Sequence, residues 1–555
     1  MLTQKKNDII MNLMAVTFII VVCFLTKTRY TSPIYADEMG YLSNAALMRG
    51  LDWSDAVRNL PYYGYGVSVL YLPFFWLFSS TTLIYGGVKV LNTVLILISY
   101  FVIQKVLIYI FGEENTIQCR IVAVACCCSS YLLAARNFAL TEVPLTAIYF
   151  VCGFFFIKYI ETKKISWKVL LLITAIFMLM IHVRTIGSFA VTVFMVLCYE
   201  FKELEGKERI KKWLITIIIA IIGVALCFGI KSIFVSSGGA GSVSTINDIS
   251  GQAGKISYLL SKEGILNFFI SVGTKLWSFG IAYFLMPFVG IVYAAKSVFE
   301  NKNRFLMMFY LLAFGAEFAI NCAYLSYIDR TDMIFYTRYS EYAILPLFCI
   351  GLVQILNNQC KPVTIMGTFL FEVALTGTVV YAEKAYECYG YLAACIPDMM
   401  LWWEDDYINY KLAVGLVGII VIGLYILIDC AQYIVLAEFL AIWILSCNAS
   451  YADYEKTLSQ DILYGCREVA EYIKEYEYEK VYVVGDTSWD GMHNSCWIQF
   501  FLPDTKVEIV DVSNVNSCKV YSGEVMVSSA KIYQDNNLEM NCVYETERFF
   551  LFEEN

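Results

Sequence analysis

The sequence predicts an all-α polytopic membrane protein with a small α/β domain at its C-terminal end. Three observations predict it. Of the 555 residues, 59% are apolar and only 16% are charged, where soluble domains carry roughly a quarter charged residues, and mean hydropathy is +0.62. The apolar residues come in long runs, which suits membrane helices and not the alternation of a transmembrane β-barrel. Charge is unevenly divided: from Tyr451 onward there are 20 acidic and 8 basic residues, a balance of −12, while the first 450 residues carry +3. A membrane body over 1–450 and an acidic extracytoplasmic domain over 451–555 follow. A soluble enzyme is excluded by the shortage of polar surface, and a disordered chain by an aromatic content of 16%. No basic patch interleaved with aromatics points to nucleic acid.

The elements follow in order. Lys5 and Lys6 precede the apolar run 9–26, and no small-residue cleavage site closes it. It reads as a first transmembrane helix with a cytoplasmic N-terminus, not a cleaved signal. Further runs at 66–85, 88–111, 119–135, 143–160, 167–181, 186–199, 213–235, 276–295, 305–328, 340–356, 363–382, 412–429 and 431–447 give about thirteen crossings. Basic residues cluster at Lys163/Lys164/Lys168, at Lys202–Lys212 and at Lys296/Lys302/Arg304. The positive-inside rule puts those loops in the cytoplasm, and the loops at 27–65, 136–142, 182–185, 237–275, 329–339 and 383–411 outside a plasma membrane. Parity requires an even number of crossings between 65 and 136, yet three runs lie there. One of them must lie in the interface or re-enter, and the sequence does not say which.

Loop 383–411, with Trp402, Trp403, Glu404, Asp405 and Asp406, reads as an interfacial helix. In the tail, 457–476 reads as a helix, with strands at 481–486, 507–510, 524–528 and 543–552. No nucleotide fingerprint follows Gly485-Asp486. Cys466, Cys496, Cys518 and Cys542 lack metal-ligand spacing and are free to pair if the tail is extracytoplasmic.

Four segments place polar chemistry at the outer face. Tyr35-Ala36-Asp37-Glu38-Met39-Gly40-Tyr41 follows the first membrane helix, and Pro61-Tyr62-Tyr63-Gly64-Tyr65-Gly66 leads to the next apolar run. A carboxylate at this boundary can take a proton from an acceptor hydroxyl or hold a divalent cation against a phosphate; a solvated turn that caps a helix is the plainer reading. Arg136 and Glu142 flank Thr141 before Pro144, where helix capping and phosphate or metal contact are both open. His182 and Arg184 interrupt an apolar stretch, and an arginine there is costly unless wet or paired with an anion. Finally, Arg330, Tyr336, Arg338 and Tyr339 lie between two apolar runs. Arg338 offers a planar fork for phosphate, and the tyrosines suit a sugar or an isoprenoid; an aromatic belt is the alternative.

This layout resembles the GT-C fold glycosyltransferases, which include protein O-mannosyltransferases and lipid A aminoarabinose transferases. The likeness lies in a first membrane helix, a long external loop opening on Asp37-Glu38, Tyr41 a few residues on, an amphipathic stretch to Gly50 and the Pro/Tyr-rich return. That return departs from the family's frequent Pro-Pro-Leu. The resemblance covers the layout of about the first 350 residues. It implies that Asp37 is the catalytic base with Glu38 beside it, and that Glu142, His182, Arg184, Arg330, Tyr336, Arg338 and Tyr339 bind the donor phosphate and substrate. Asp37 and Glu142 are the candidate ligands for a divalent cation, Mg or Mn. The implied reaction moves a sugar, with inversion, from a polyprenyl-phosphate donor to the hydroxyl of a glycan, lipid or protein acceptor. A polyprenyl-linked polysaccharide polymerase or ligase is an alternative that has no need of the acid pair. A lipid or solute transporter or flippase is another; it places charges near the bilayer midplane and shows related halves, and no half-repeat is visible.

Overall fold

The computed structural model describes residues 2–28, 30–58, 60, 64–237, 255, 257–326, 334–385, 397–404, 407–426, 430–457, 460–485, 489–530, 532–533 and 541–553. Among the described residues, seventeen helices form the body: α1 Leu2–Leu25, α2 Ala36–Arg49, α3 Gly66–Leu77, α4 Thr81–Phe111, α5 Thr116–Cys127, α6 Ser130–Ala135, α7 Glu142–Thr162, α8 Ile165–Ile181, α9 Ile186–Glu203, α10 Gly206–Ser236, α11 Lys262–Ala282, α12 Met286–Phe299, α13 Arg304–Tyr324, α14 Glu341–Leu356, α15 Pro362–Ala385, α16 Tyr410–Ile426 and α17 Cys430–Thr457. Among the described residues, eight helices are long and apolar enough to cross a membrane, and shorter apolar helices accompany them. The chain is an all-α polytopic membrane protein with a small C-terminal sheet domain, as the sequence predicts.

The first of the three apolar runs between 65 and 136 opens as the short helix α3. Its 12 residues reach about 18 Å at 1.5 Å per residue, against a hydrocarbon core of about 30 Å. Its first turn lies on the end of α8: a Cβ added to Gly64 would fall 1.9 Å from the Ile181 carbonyl oxygen, and one on Gly66 2.6 Å from the Ile181 nitrogen. These glycines are therefore required by close approach of two backbones. Its last turn runs into Ser79–Thr82, which adjoin the C-terminal domain. Both ends of α3 thus pack on protein, at Ile181 and beside the C-terminal domain.

Between α11 and α12 the helix breaks at Phe284 (φ 51°) and Leu285 (φ 62°). Buried non-helical backbone needs protein partners. Trp443 on α17 donates its indole N–H to the Ala282 carbonyl at 2.9 Å, Leu285 N–H bonds the Gly280 carbonyl at 2.8 Å, and Phe439 stacks on Phe284 at 3.8 Å.

The tail begins after α17, which runs unbroken past residue 450 to Thr457. A two-stranded ribbon, β1 Trp403–Glu404 with β2 Tyr407–Ile408, follows a 3₁₀ turn at Pro397–Trp402. The interfacial helix predicted for loop 383–411 falls in part on residues 386–396 and 405–406, outside the described residues; the described part holds this 3₁₀ turn and the ribbon. The domain sheet has the order β4-β3-β5-β7-β6, with β3 Lys480–Gly485, β4 Lys506–Asp511, β5 Glu524–Ser529, β6 Asn541–Glu545 and β7 Phe549–Glu553. Strands β4, β3 and β5 are parallel, and β7 and β6 add antiparallel. Helices α18 Gln460–Glu475 and α19 Trp489–Phe501 complete it. The predicted strand at 543–552 is two strands of a hairpin, and α19 has no counterpart in the sequence reading. Cys466, Cys496, Cys518 and Cys542 are free thiols.

The domain is fastened to the loop after α1 by reciprocal bonds. Trp53 donates to the Pro503 carbonyl at 3.0 Å and Trp497 to the Pro33 carbonyl at 2.9 Å. Arg58 Nη2 reaches the Ile509 carbonyl at 3.2 Å, and Ser495 Oγ the Ala56 carbonyl at 3.1 Å.

Candidate active site

The adjacent acids occupy different environments. Both lie in the first turn of α2, where carboxylates favour the helix dipole. Glu38, at 0% exposure, accepts four bonds. Its Oε1 takes the Ile34 and Tyr35 N–H groups at 2.8 and 3.1 Å, and its Oε2 takes the Tyr85 hydroxyl at 2.6 Å and the Ala139 N–H at 2.7 Å. Burial outweighs these donors and pushes its pKa up to about 7. Glu38 ties the first loop, α4 and the 136–142 segment together; its carboxylate is fully engaged with protein. Asp37 is more than a third exposed, and its Oδ2 meets Arg338 Nη2 at 3.1 Å.

Around Asp37 the widely separated candidates converge. Arg338 precedes α14, and its Nε lies 3.0 Å from Glu142 Oε1, an ion pair without hydrogen-bond alignment. Glu142 opens α7 and is 1% exposed. The same Oε1 receives Arg184 Nη2 at 3.3 Å, and Arg184 also bonds Thr141 Oγ1 at 3.1 Å. Glu142 Oε2 is buried with no hydrogen-bond partner among the described residues. Tyr339 lies under Arg184, its ring centroid 4.4 Å from the guanidinium carbon, and packs on Tyr336 at 4.6 Å. His182 caps the turn carrying Arg184: its Nδ1 accepts the Arg184 N–H at 3.2 Å. Burial, followed by the Arg184 and Arg338 charges, holds the His182 pKa well below the ordinary value. Buried Tyr41 completes the floor, its pKa raised by burial and by Asp37.

Seven candidates, Asp37, Glu142, His182, Arg184, Tyr336, Arg338 and Tyr339, thus form one cluster. Glu38 backs it without facing it. Arg330 and the Tyr62-Tyr63 part of the return lie outside the described residues. Arg136 belongs elsewhere: it donates to the Cys23 carbonyl at 2.6 Å and closes the end of α1, so a phosphate contact is not its place. Sequence reading missed Thr141 as an arginine partner, because a threonine before a helix reads as a cap. It also missed Lys89, which fixes the first loop through Thr28 Oγ1 at 3.1 Å and the Tyr30 carbonyl at 2.6 Å.

Asp37 and Glu142, the two candidate cation ligands, both pair with Arg338. No group of three His, Cys, Asp or Glu suited to a metal occurs among the described residues.

The fold of this chain is that of GT-C membrane proteins of known structure. Its structure is similar to ArnT from Cupriavidus metallidurans bound to undecaprenyl phosphate, at 12% identity over 97% of each chain with a TM-score of 0.53. For the same protein in the apo state the TM-score is 0.54 at 12% identity and the same coverage. A more distant likeness, TM-score 0.46 at 12% identity, joins 93% of this chain to 69% of the Archaeoglobus fulgidus oligosaccharyltransferase in the apo form. No family model and no curated protein matches the sequence.

Proposed function

We propose that this protein is an integral membrane glycosyltransferase that moves a sugar from a polyprenyl-phosphate donor to an acceptor hydroxyl at the outer membrane face, with inversion. The observation that carries the reading is the Asp37–Arg338–Glu142–Arg184 cluster, drawn from four separate segments and placed beside the first external loop. The fold adds support, since it is shared with a protein solved with undecaprenyl phosphate bound.

In this reading Arg338 and Arg184 receive the donor phosphate, as paired guanidinium groups suit phosphate oxygens. The incoming phosphate draws Arg338 away from Asp37 and frees that carboxylate. The acceptor oxygen then attacks the sugar carbon opposite the phosphate. Its bond to carbon forms as the carbon–phosphate oxygen bond breaks, the hydroxyl proton passes to Asp37, and the electron pair leaves with the lipid phosphate. The two arginines stabilise the charge that develops there. Glu142 holds both arginines in place, and its second oxygen offers an acceptor to a substrate hydroxyl. Glu38 positions Asp37 and takes no proton from substrate. The first loop and the domain from about 451 onward share the outer side, and the N-terminus is cytoplasmic.

The test is turnover of a polyprenyl-phosphate sugar by the purified full-length protein in bilayers, scored for release of polyprenyl phosphate. Release by the wild type that falls by about 10²–10⁴ in Asp37→Asn supports the reading; undiminished release in that variant overturns it.

A further inference from the structure

A second polar feature lies away from the Asp37 cluster. A crevice of about 370 Å³ opens between the α3–α4 turn and the C-terminal domain. One wall is the hydroxyl-rich turn Ser79, Ser80 and Thr82; the other carries the cations Arg467 and Lys474 with the carboxylate of Glu471 between them, and Phe501 also lines it. The helix α4 begins here, where its first-turn N–H groups have no intrahelical acceptor, and Ser80 makes no side-chain capping bond. Arg467, Glu471 and Lys474 recur at helical spacing along one stripe of α18. The Arg467–Glu471 pair is loose at 4.0 Å, and the Arg467 guanidinium spreads over the Phe501 ring at 5.5 Å. In a tail that carries only 8 basic against 20 acidic residues, two of the bases are set on the wall facing the membrane body.

The chain on both sides of those hydroxyls is bare hydrocarbon. Trp76 is 64% exposed, Leu77 70%, Phe78 36% and Leu83 56%. A soluble anion has no use for such a collar. A lipid does: its chains lie along Trp76, Leu77 and Leu83 while its phosphate reaches hydroxyls, helix N–H groups and two cations. We propose that this crevice binds the phosphate headgroup of an anionic phospholipid of the surrounding bilayer, and that it is a lipid site separate from the Asp37 cluster.

The experiment uses delipidated full-length protein in neutral detergent, titrated with phosphatidylglycerol, phosphatidylcholine and inorganic phosphate, and read by tryptophan fluorescence and thermal unfolding. Phosphatidylglycerol should bind about tenfold or more tightly than phosphatidylcholine, as two basic residues at a lipid surface predict. The Arg467→Ala/Lys474→Ala variant should lose that preference, and Lys519→Ala, an exposed control on the same domain, should keep it. Equal binding of the two lipids, or a preference retained in the double variant, overturns the proposal. Inorganic phosphate binding as tightly as phosphatidylglycerol, and lost in the same variant, would make the site one for a soluble anion and overturn it as a lipid site. The substituted side chains are at the surface, so unchanged unfolding of the unliganded variants separates lost binding from lost folding.

Discussion

Asp37 and Glu38 are neighbours in the chain and serve opposite sides of it: Asp37 meets Arg338 at 3.1 Å beside solvent, while Glu38 is sealed from solvent under four hydrogen-bond donors. The helical turn that carries them explains the split. Successive residues on a helix point about 100° apart, so one acid faces the cluster and the other faces the body. The two therefore answer differently to the same substitution.

For Asp37→Asn the expected outcome is loss of about 10²–10⁴ in turnover, the contribution of a positioned base, with little change in thermal unfolding. Kinetics on polyprenyl-phosphate sugar and an unfolding curve on the same preparation check both halves. A large fall in stability would give Asp37 a structural role instead.

Glu38→Gln should act on folding. Each Glu38 oxygen accepts at least one backbone N–H, so in either orientation an amide sets its NH₂ against a donor. Such a buried mismatch costs about 1–3 kcal/mol. The pH dependence has a definite sign. Burial raises the folded pKa to about 7 from the ordinary 4.5, so between those values the folded state binds the extra proton. Stability from this group is full below about 4.5 and is lost as pH rises through about 7. Protonated Glu38 can donate to the Tyr85 oxygen while Tyr85 turns its own hydroxyl to the Asn137 carbonyl, 3.3 Å away. Unfolding measured from pH 4.5 to 8 should slope downward in the wild type and flatten in Glu38→Gln; equal slopes would remove Glu38 as the source.

Arg338→Lys keeps the charge and loses the fork. One ammonium cannot meet Asp37, Glu142 and a phosphate with the planar geometry of a guanidinium. Loss of about 10²–10³ in kcat is expected, the usual cost of one preorganised donor. Wild-type kcat in the lysine variant would show that charge alone suffices.

Most of the cluster was legible because charged residues at membrane boundaries are expensive and stand out from apolar runs: Arg184 and Arg338 were visible for that reason alone. The distinction between Asp37 and Glu38 was not legible, since it depends on Ala139 and Tyr85 arriving from distant segments. The shortness of α3 was hidden by composition, because Val67–Leu77 is as apolar as a crossing helix and only its length and its packing on Ile181 set it apart. The helix α19 was masked by Gly491, His493, Asn494 and Ser495, which weaken its local signal, while its partners lie on the far side of the sequence.

The buried pair Lys168–Glu200 offers a prediction away from the site. Lys168 Nζ lies 2.9 Å from Glu200 Oε1, both side chains have 0% exposure, and Tyr159 donates to the same oxygen. Removing one charge leaves the other buried and uncompensated. Lys168→Met should cost about 3–5 kcal/mol, and Lys168→Met/Glu200→Gln should recover much of it. A double-mutant cycle by chemical unfolding checks this; additive losses would mean that the two charges are not coupled.

The last prediction concerns why the C-terminal domain sits where it does. Trp53, on the loop that carries α2, bonds the domain at Pro503, and Trp497, on the domain, bonds that loop at Pro33. Each indole N–H meets a carbonyl across the junction, so the loop bearing Asp37 is clamped between the membrane helices and the domain. Replacing both tryptophans by phenylalanine keeps most of the apolar contact and deletes the two bonds, each worth about 0.5–1.5 kcal/mol. The expected result is a domain released faster by limited proteolysis and a lower turnover with the Asp37 chemistry itself untouched. Turnover should therefore fall while its pH profile keeps its shape. A double variant with wild-type proteolysis and turnover would show that the clamp is held by packing alone; a changed pH profile would mean that the junction reaches the proton-transfer step directly.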